Sequence, residues 1–248
     1  MHRHAAALAA ALVAACSPDV ASHDARADTA PRRPVVVELF SSEGCSSCPP
    51  ADAVLRRLDR EQPVSGAEVI ALELHVDYWN DLGWADPFSS PAFSARQRGY
   101  ARALGLHGVY TPQMVVDGGA ELNGSDAAGA RRAIAAAEAA PKVDVALAKD
   151  GARVVVTAGA ADGAEALFAL TEAELATAVP RGENAGATLQ HGPVVRELVR
   201  LGPTGAAPTR FVVTPNLGGV RVENARAVAF VQRARDLRIV GAASMPLR

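Results

Sequence analysis

The sequence predicts an α/β domain followed by a smaller, mainly antiparallel β domain, and two observations support this prediction. Between residues 35 and 141, short apolar runs of strand length alternate with stretches of helical spacing. From residue 142 onward the apolar runs all have strand length, and Asp150-Gly151 between two of them is a strong hairpin signal. We therefore expect domains at 35–141 and 142–248, the second one sandwich-like.

The N-terminal residues indicate export. A short positive segment at 1–4 precedes an apolar run at 5–15 that is too short to span a bilayer, so residues 1–15 are predicted to be a signal peptide. The order Val-Ala-Ala-Cys at 13–16 is typical of bacterial lipoprotein signals, in which Cys16 would be lipidated. The alternative is an ordinary signal cleaved near Ala15. Residues 16–34 lack an apolar period and are predicted to be a tether.

Composition and charge restrict the partners. The chain has 248 residues and a formal net charge of -2, and it shows no basic patch, so we do not expect it to bind nucleic acid. We expect a periplasm-facing lipoprotein of the cell envelope or a secreted protein, attached to the membrane through its lipid anchor only. Disulfides persist in that compartment, and Cys45 and Cys48 are the two cysteines left after Cys16.

Each element of the first domain has a local signal. The first helix begins with Pro49 and Pro50, whose missing N–H groups do little harm in a first turn. The last helix is rich in alanine; Ser125 is its predicted cap, and it runs to about Ala140, where Pro141 stops it. The predicted strands are 35–40, 68–78, 109–116 and 121–123, and the first two predicted helices are 49–60 and 93–104.

The second domain reads as a series of strands joined by one long polar loop. The strands are predicted at 143–147, 153–156, 165–170, 194–201, 210–213, 225–232 and 238–240. The loop at 180–193 carries Arg181, Glu183, Asn184 and His191, more polar groups than strand patterning explains. It either faces the cysteine pair or closes the sandwich, and both alternatives stay open.

The segment Cys45-Ser-Ser-Cys48 follows the first predicted strand and precedes the first predicted helix. Two cysteines three positions apart can close a small disulfide, and a helix N-terminus favours a thiolate through its partial positive charge and free N–H groups. The motif therefore predicts thiol–disulfide chemistry, while an inert brace stays possible. Half of a zinc site would need two more ligands, and the histidines beyond the tether do not pair at short spacing, so no metal site is predicted.

Three stretches resemble an uncharacterised family of secreted bacterial proteins, a domain of unknown function with a thioredoxin-like N-terminal domain. They are 38–52 around the CxxC pair, 75–79 with the sequence His-Val-Asp-Tyr-Trp, and 109–118 around Thr111-Pro112. The similarity covers most of the mature chain and includes 181–186. The order of strands and helices, with a CxxC after the first strand, is that of the thioredoxin superfamily. The resemblance implies this fold and a redox-competent pair, but no defined activity.

The resemblance also implies roles for individual residues. Cys45 would be the attacking thiolate at an exposed helix end, and Cys48 would resolve the mixed disulfide. Pro112 would be a cis proline beside the disulfide, leaving the backbone of Thr111 free to pair with substrate; the alternative is an ordinary trans proline at a strand start. Glu38 would be a buried acid that helps to move the proton of the resolving cysteine, or else a solvent-facing carboxylate.

Two further groups of side chains follow the second strand. Glu73, His75 and Asp77 share one strand face and could ligate a metal, but we expect the solvated face of an edge strand instead. Trp79 and Trp84 lie in or beside an aromatic-rich insertion, and with Tyr110 they are predicted to bind a substrate or partner. A local packing role for the insertion is the alternative.

The predicted function is thiol–disulfide exchange with a protein or small-molecule thiol or disulfide, without a cofactor. Three other functions use the same residues. Peroxide or sulfoxide reduction would use the Cys45 thiolate with His75, Asp77 or Trp79 nearby. A copper(I) metallochaperone would bind the ion through both thiolates. A non-catalytic envelope-binding module would use the cysteines only to brace a turn.

Overall fold

The computed structural model describes residues 1–2 and 31–248. The predicted signal peptide, Cys16 and its lipidation, and most of the tether lie outside the described residues. Pro31–Arg248 cluster as one unit by their contacts. Within this described part of the chain, no helix is long and apolar enough to cross a bilayer.

The first half follows the predicted order of strands and helices. Its elements are β1 (Arg33–Ser41), α1 (Pro49–Glu61), β2 (Ala67–His75), α2 (Pro91–Ala103), β3 (Gln113–Val116), β4 (Ala120–Asn123) and α3 (Ala127–Glu138). Helix α2 begins two residues earlier than predicted because Ser90 caps it and accepts a hydrogen bond from the N–H of Ala92. Helix α3 is capped by Asp126, which accepts from Gly129, and the predicted cap Ser125 lies one residue outside.

The second half consists of strands, as predicted. They are β5 (Val145–Asp150), β6 (Arg153–Ala158), β7 (Ala164–Glu172), β8 (Ala176–Ala178), β9 (Thr188–Gln190), β10 (Val194–Pro203), β11 (Thr209–Val213), β12 (Ala225–Arg233) and β13 (Ile239–Pro246). The predicted hairpin at Asp150-Gly151 is confirmed, since β5 and β6 pair antiparallel with Asp150 opposite Arg153. The two short strands β8 and β9 were not predicted.

One eight-stranded sheet runs through both halves, in the order β13-β12-β7-β10-β2-β1-β3-β4. The β1–β2 and β2–β10 pairs are parallel and the other neighbours are antiparallel. Strand β10 connects the halves because Val194 pairs with Glu73 of β2. In contrast to the separate sandwich-like domain expected at 142–248, four strands of the second half therefore extend the sheet of the first.

The side chains of β1 and β2 alternate between two faces of this sheet, as strands require. The face packed against α1 and α3 carries Val35, Val37, Leu39, Val69 and Ala71. The face packed against α2 carries Val36, Phe40, Ile70, Leu72 and Leu74. By this alternation Glu38 faces α2, whereas Glu73 and His75 face α1.

Strand β2 lies inside the sheet, although an edge position was expected. The reason is β10, which comes from the second half of the chain and covers the free edge of β2. The backbone N–H of Glu73 donates to the carbonyl of Pro193 just before β10, at 2.9 Å. Glu73 and His75 are consequently buried, and the solvated face predicted for them is absent from this part of the structure.

Candidate functional site

Cys45 and Cys48 form a disulfide at the start of α1, with their Cα atoms 5.4 Å apart. Cys48 is the N-cap residue and Pro49 begins the helix. A turn closes the loop, because the N–H of Cys48 donates to the carbonyl of Cys45 at 3.1 Å. The pairing of the two cysteines in one small ring agrees with the predicted motif.

The disulfide is buried, which corrects the expectation that Cys45 lies at an exposed helix end. Both cysteines have 0% exposed surface, while Ser46 and Ser47 between them face solvent. Cys45 precedes the helix by several residues and points inward, with its Sγ 3.3 Å from Ser47 Oγ. In this oxidised form, a partner cannot reach the sulfur atoms without a movement of the surrounding chain.

The polar loop of the second half holds the CxxC loop in place. The carboxylate of Glu183 accepts a hydrogen bond from the N–H of Ser46 at 3.0 Å. The side-chain amide of Asn184 donates to the carbonyls of Glu43 and Cys45, at 2.9 and 3.1 Å. The open question about residues 180–193 is thereby answered: this loop faces the cysteine pair.

The peptide bond between Thr111 and Pro112 is cis, as predicted. Pro112 lies close to the first turn of α1, because a Cβ built on Gly124 would be 3.2 Å from Pro112 Cβ and 2.9 Å from Ala51 Cβ. The indole N–H of Trp79 donates to Thr111 Oγ1 at 2.9 Å. Trp79, Thr111 and Pro112 therefore form one wall near the CxxC loop.

Glu38 is buried, but it does not lie with the cysteines. Its carboxylate accepts hydrogen bonds from Arg96 at 2.5 and 3.0 Å and from the hydroxyl of Tyr100. The cause is the alternation of side chains along β1, in which Leu39 faces α1 and Glu38 faces α2. The proton-transfer role predicted for Glu38 is therefore corrected to a structural ion pair on the opposite face of the sheet.

Asp52 is the buried acid on the cysteine side of the sheet. It follows Cys48 by four residues in α1, a spacing that puts two side chains on the same helix face. Ser41 Oγ donates to its carboxyl at 2.6 Å. Burial, assisted by the charge of Glu73, raises the pKa of Asp52 to about 8. The residue missed in the sequence thus has the properties expected of Glu38.

The three aromatic residues predicted to bind a partner have different surroundings. Trp84 is half-buried and donates through its indole N–H to Glu43 Oε2 at 2.7 Å, as an internal anchor would. Tyr110 is 39% exposed and its hydroxyl donates to Glu121. Trp79, the third of them, is half-buried, and its indole N–H donates to Thr111 Oγ1. The neighbouring Tyr78, which was not among the three, is 39% exposed, and burial raises the pKa of its hydroxyl.

A cluster of buried acids and histidines lies on the same side of the sheet as Asp52. His75 contacts Asp86 Oδ2 through Nδ1 at 2.7 Å and Glu73 Oε1 through Nε2 at 3.0 Å. His191 lies 3.4 Å from Glu73 Oε1 through Nδ1 and 3.1 Å from Glu43 Oε1 through Nε2. All five residues are less than 5% exposed.

Mutual contacts inside this cluster outweigh the effect of burial on its charges. Burial alone would lower the pKa of His75, but Asp86 and Glu73 hold it well above its usual range. The carboxylates of Glu43 and Glu73 likewise raise the pKa of His191 to about 9 against the effect of burial. Burial would raise the pKa of Glu73, but its contacts with His191 and His75 lower it to about 2.

Sequence reasoning named His191 only as one polar residue of the 180–193 loop, and it grouped Asp77 with Glu73 and His75, from which the structure separates it. His75 and His191 are far apart in sequence, and only the pairing of β10 with β2 brings them together. Asp77 lies after the end of β2 and accepts a hydrogen bond from Ser94 near the start of α2. The polar content of the 180–193 loop was the available signal for His191.

A family model described as Protein of unknown function (DUF1223) matches residues 36–232. The crystal structure of protein AGR_C_4864 from Agrobacterium tumefaciens is 30% identical, with 88% of this chain and 96% of that chain aligned and a TM-score of 0.73. HBP35 of Porphyromonas gingivalis is 17% identical over 87% of this chain and 76% of that chain, with a TM-score of 0.61. The second likeness concerns the fold alone. No curated protein is significantly similar.

Proposed function

Because the chain belongs to the family Protein of unknown function (DUF1223), whose description names no activity, we propose a function from its geometry: thiol–disulfide exchange through Cys45 and Cys48. The observation that supports this most directly is the closed disulfide at the N-cap of α1, with a protonatable buried acid one turn further along. The substrate would be a protein or a small molecule with a thiol or disulfide.

We also propose that the first half is thioredoxin-like. The order β1, α1, β2, α2, β3, β4, α3 supports this, together with a CxxC between β1 and α1. The cis Thr111-Pro112 bond immediately before β3 agrees with the same proposal. The second half would then be an addition that shares the sheet through β10 and supplies the loop over the cysteines.

The exchange proceeds in two balanced steps. In the reduced protein, the Cys45 thiolate attacks one sulfur of a substrate disulfide and releases the other sulfur as a thiolate. Cys48 then loses its proton and attacks Cys45 Sγ, which forms the Cys45–Cys48 bond and releases the second substrate sulfur. The substrate disulfide gains two electrons from the protein pair, which is oxidised; one of its sulfurs takes the proton lost by Cys48 and the other takes a proton from water. The reverse sequence oxidises a substrate dithiol.

Asp52 is the proposed proton partner of Cys48. Burial and the charge of Glu73 raise its pKa to about 8, so that this carboxyl can hold a proton at neutral pH and act as a general acid or base toward the thiol. Its position one helical turn after Cys48 places it on the same helix face. The hydroxyl of Ser41 keeps the carboxyl oriented by donating to Oδ1.

Access to Cys45 requires the 181–186 segment to move, because the oxidised cysteines are fully buried. Three hydrogen bonds, from Ser46 to Glu183 and from Asn184 to the CxxC loop, would break on opening. Tyr78, Trp79 and Tyr110 near Thr111 offer exposed or half-exposed aromatic surface to an arriving partner. The predicted export signal supports an envelope location, where such partners carry disulfides.

Covalent trapping tests the proposal. In Cys48→Ser, a mixed disulfide on Cys45 cannot be resolved, so the reduced variant treated with oxidised glutathione should accumulate a stable adduct visible by mass spectrometry. Cys45→Ser is the matched control and should accumulate much less. Failure of Cys48→Ser to form an adduct, with free Cys45 confirmed by unfolding and alkylation, would contradict the proposal.

A further inference from the structure

We propose that Glu73, His75 and His191 form a buried binding site for one divalent transition metal ion of the zinc class, with three protein ligands. This site is separate from the disulfide chemistry and does not depend on it. The three ligand atoms, one from each side chain, lie within 4.8 Å of one another. Neither histidine belongs to a sequence motif that marks a metal site.

The distances between the donor atoms suit a small ion. His75 Nε2 lies 3.0 Å from Glu73 Oε1, and His191 Nδ1 lies 3.4 Å from the same oxygen. Ligands bound to zinc at ~2.0–2.1 Å in tetrahedral geometry are roughly 3.3 Å apart. Two of the three donor distances are thus close to this spacing, and the third, between His75 Nε2 and His191 Nδ1, is within 4.8 Å, so that rotation of the two imidazole side chains would bring all three atoms onto one ion.

The contacts of the remaining polar atoms of the three proposed ligands support this assignment. Metal-binding histidines usually donate their other ring N–H to a carboxylate or carbonyl, which fixes the ring and its tautomer. Here His75 Nδ1 faces Asp86 at 2.7 Å, and His191 Nε2 faces Glu43 at 3.1 Å. The second oxygen of Glu73 accepts a hydrogen bond from the N–H of Gly192. His75 and Glu73 are thus each oriented by a further group, while Glu43 lies beside the outer ring nitrogen of His191 without a hydrogen bond to it.

Three buried polar atoms of this cluster lack a hydrogen-bond partner among the described residues: both ring nitrogens of His191 and Glu43 Oε1. His191 is only 2% exposed, so water does not compensate for this lack at the surface. Buried polar atoms in folded proteins are normally satisfied, and an exception indicates a missing ligand or a functional constraint. An ion on Nδ1 would place the ring proton on Nε2, which lies 3.1 Å from Glu43 Oε1 and would donate to it after a small rotation of the ring.

The chemistry of the donors selects the class of ion. Two imidazole nitrogens and one carboxylate oxygen suit zinc and ferrous iron, whereas calcium and magnesium prefer oxygen donors and copper(I) prefers sulfur. Three acidic groups, Glu43, Glu73 and Asp86, surround two imidazoles, so a dication would compensate two of the three negative charges of the cluster. Three protein ligands leave a fourth position open for water or a substrate.

The proposed site is bounded by an apolar ring on one side and lies next to a small surface pocket. The Phe88 ring packs edge-on against His75 and His191, with ring centroids 5.5 and 5.4 Å away. On the other side, a small surface pocket between Arg56, Asp59 and Pro193 reaches His191 and Gly192. This pocket is the proposed entry path for the ion.

Zinc titration of the oxidised full chain tests this site. The protein is treated with iodoacetamide to block Cys16, dialysed against EDTA and kept without reductant, so that Cys45 and Cys48 stay in the disulfide and no thiol can ligate. We expect one Zn²⁺ per chain by calorimetry, and Co²⁺ should give a visible spectrum of tetrahedral or five-coordinate nitrogen–oxygen ligation. The absence of saturable binding of either ion to the folded wild-type chain would overturn the proposal.

Single variants then locate the ion. Asp86→Asn removes the partner of a ligand and should weaken Zn²⁺ binding by ~10–100-fold. His191→Gln removes a ligand itself, so it should weaken Zn²⁺ binding by ~100-fold or more. His107→Gln is the matched control, because His107 is exposed and far from the cluster in sequence. Equal affinity in His191→Gln and wild type would refute the site. If His191→Gln does not fold, the Zn²⁺ affinity of Asp86→Asn is compared with that of wild type instead, and equal affinities would likewise refute the site.

Discussion

The N–H of Asp52 donates a hydrogen bond to the carbonyl of Cys48 at 3.1 Å, which fixes the buried carboxyl one helical turn from the second cysteine. This relationship links the disulfide to a group that can hold or release a proton at neutral pH.

Asp52 should make the folded protein less stable as the pH rises. Its pKa is 3.8 in an unfolded chain and about 8 in the fold, so the folded state binds more protons between these values. Its contribution to the free energy of unfolding is therefore fully present below about pH 4 and is lost as the pH rises through 8. We expect Asp52→Asn to be more stable than wild type at pH 9 and to approach it in acid.

Urea unfolding of the oxidised, metal-free proteins from pH 5 to pH 9 measures this difference. Asp144→Asn, at a residue that the structure places outside the site, controls for the loss of one negative charge. A stability difference between Asp52→Asn and wild type that does not change with pH would contradict the assigned protonation.

Asn184→Ala should make the disulfide easier to reduce. The variant loses two hydrogen bonds to the CxxC loop, each worth ~0.5–1.5 kcal/mol, so opening of the covering segment should become about tenfold more frequent or more. The rate of reduction by dithiothreitol, followed by alkylation and mass spectrometry, measures this. Asn216→Ala, in an exposed turn, should react like wild type. Identical rates in all three proteins would show that Asn184 does not restrict access.

Glu38→Gln should destabilise the fold without altering the cysteine chemistry. It leaves the guanidinium of Arg96, only 11% exposed, without its carboxylate, and breaking a buried ion pair from one side costs ~3–5 kcal/mol. Glu165→Gln removes the partner of the largely exposed Arg200 and should cost less than about 1 kcal/mol. Urea unfolding gives both values. A large change in the exchange rate of folded Glu38→Gln would restore the role first expected for this residue.

Gly124→Ala should destabilise the wall beside the cysteines. A Cβ at this position would come within 2.6 Å of Leu39 Cδ1 and 2.9 Å of Ala51 Cβ, and such overpacking costs ~1–3 kcal/mol. Gly108→Ala is the matched control, since nothing lies within 4 Å of a Cβ there. Comparable unfolding midpoints for the two variants would show that the packing around Pro112 is looser than described.

Local signals in the sequence were sufficient for the elements of the first half. Apolar periodicity placed α1 and the surrounding strands, whereas the cis Thr111-Pro112 bond was expected from the family resemblance and not from a local signal. The face of the sheet on which each side chain of β1 lies was harder to predict. One residue more or fewer in the loop before Cys45 decides whether Glu38 or Leu39 faces α1. Asp52 was not recognised because a polar residue in a first helical turn is usually exposed.

The contacts of the site between residues distant in sequence could not be predicted from local sequence patterns. Strand β2 was placed at an edge because nothing in its own residues indicates that β10 covers it. The same pairing buries Glu73 and His75 and brings His191 against them. These contacts join segments more than a hundred residues apart, and spacing rules describe only neighbours along the chain.

The reduction potential of the Cys45–Cys48 pair tests the proposed exchange most directly. The wild-type chain is equilibrated with thiol–disulfide buffers of defined potential, and the reduced fraction is measured by alkylation and mass spectrometry. We expect a potential between about -270 and -120 mV, the range of proteins that exchange disulfides. A potential below about -300 mV would identify a structural disulfide and contradict the proposed function.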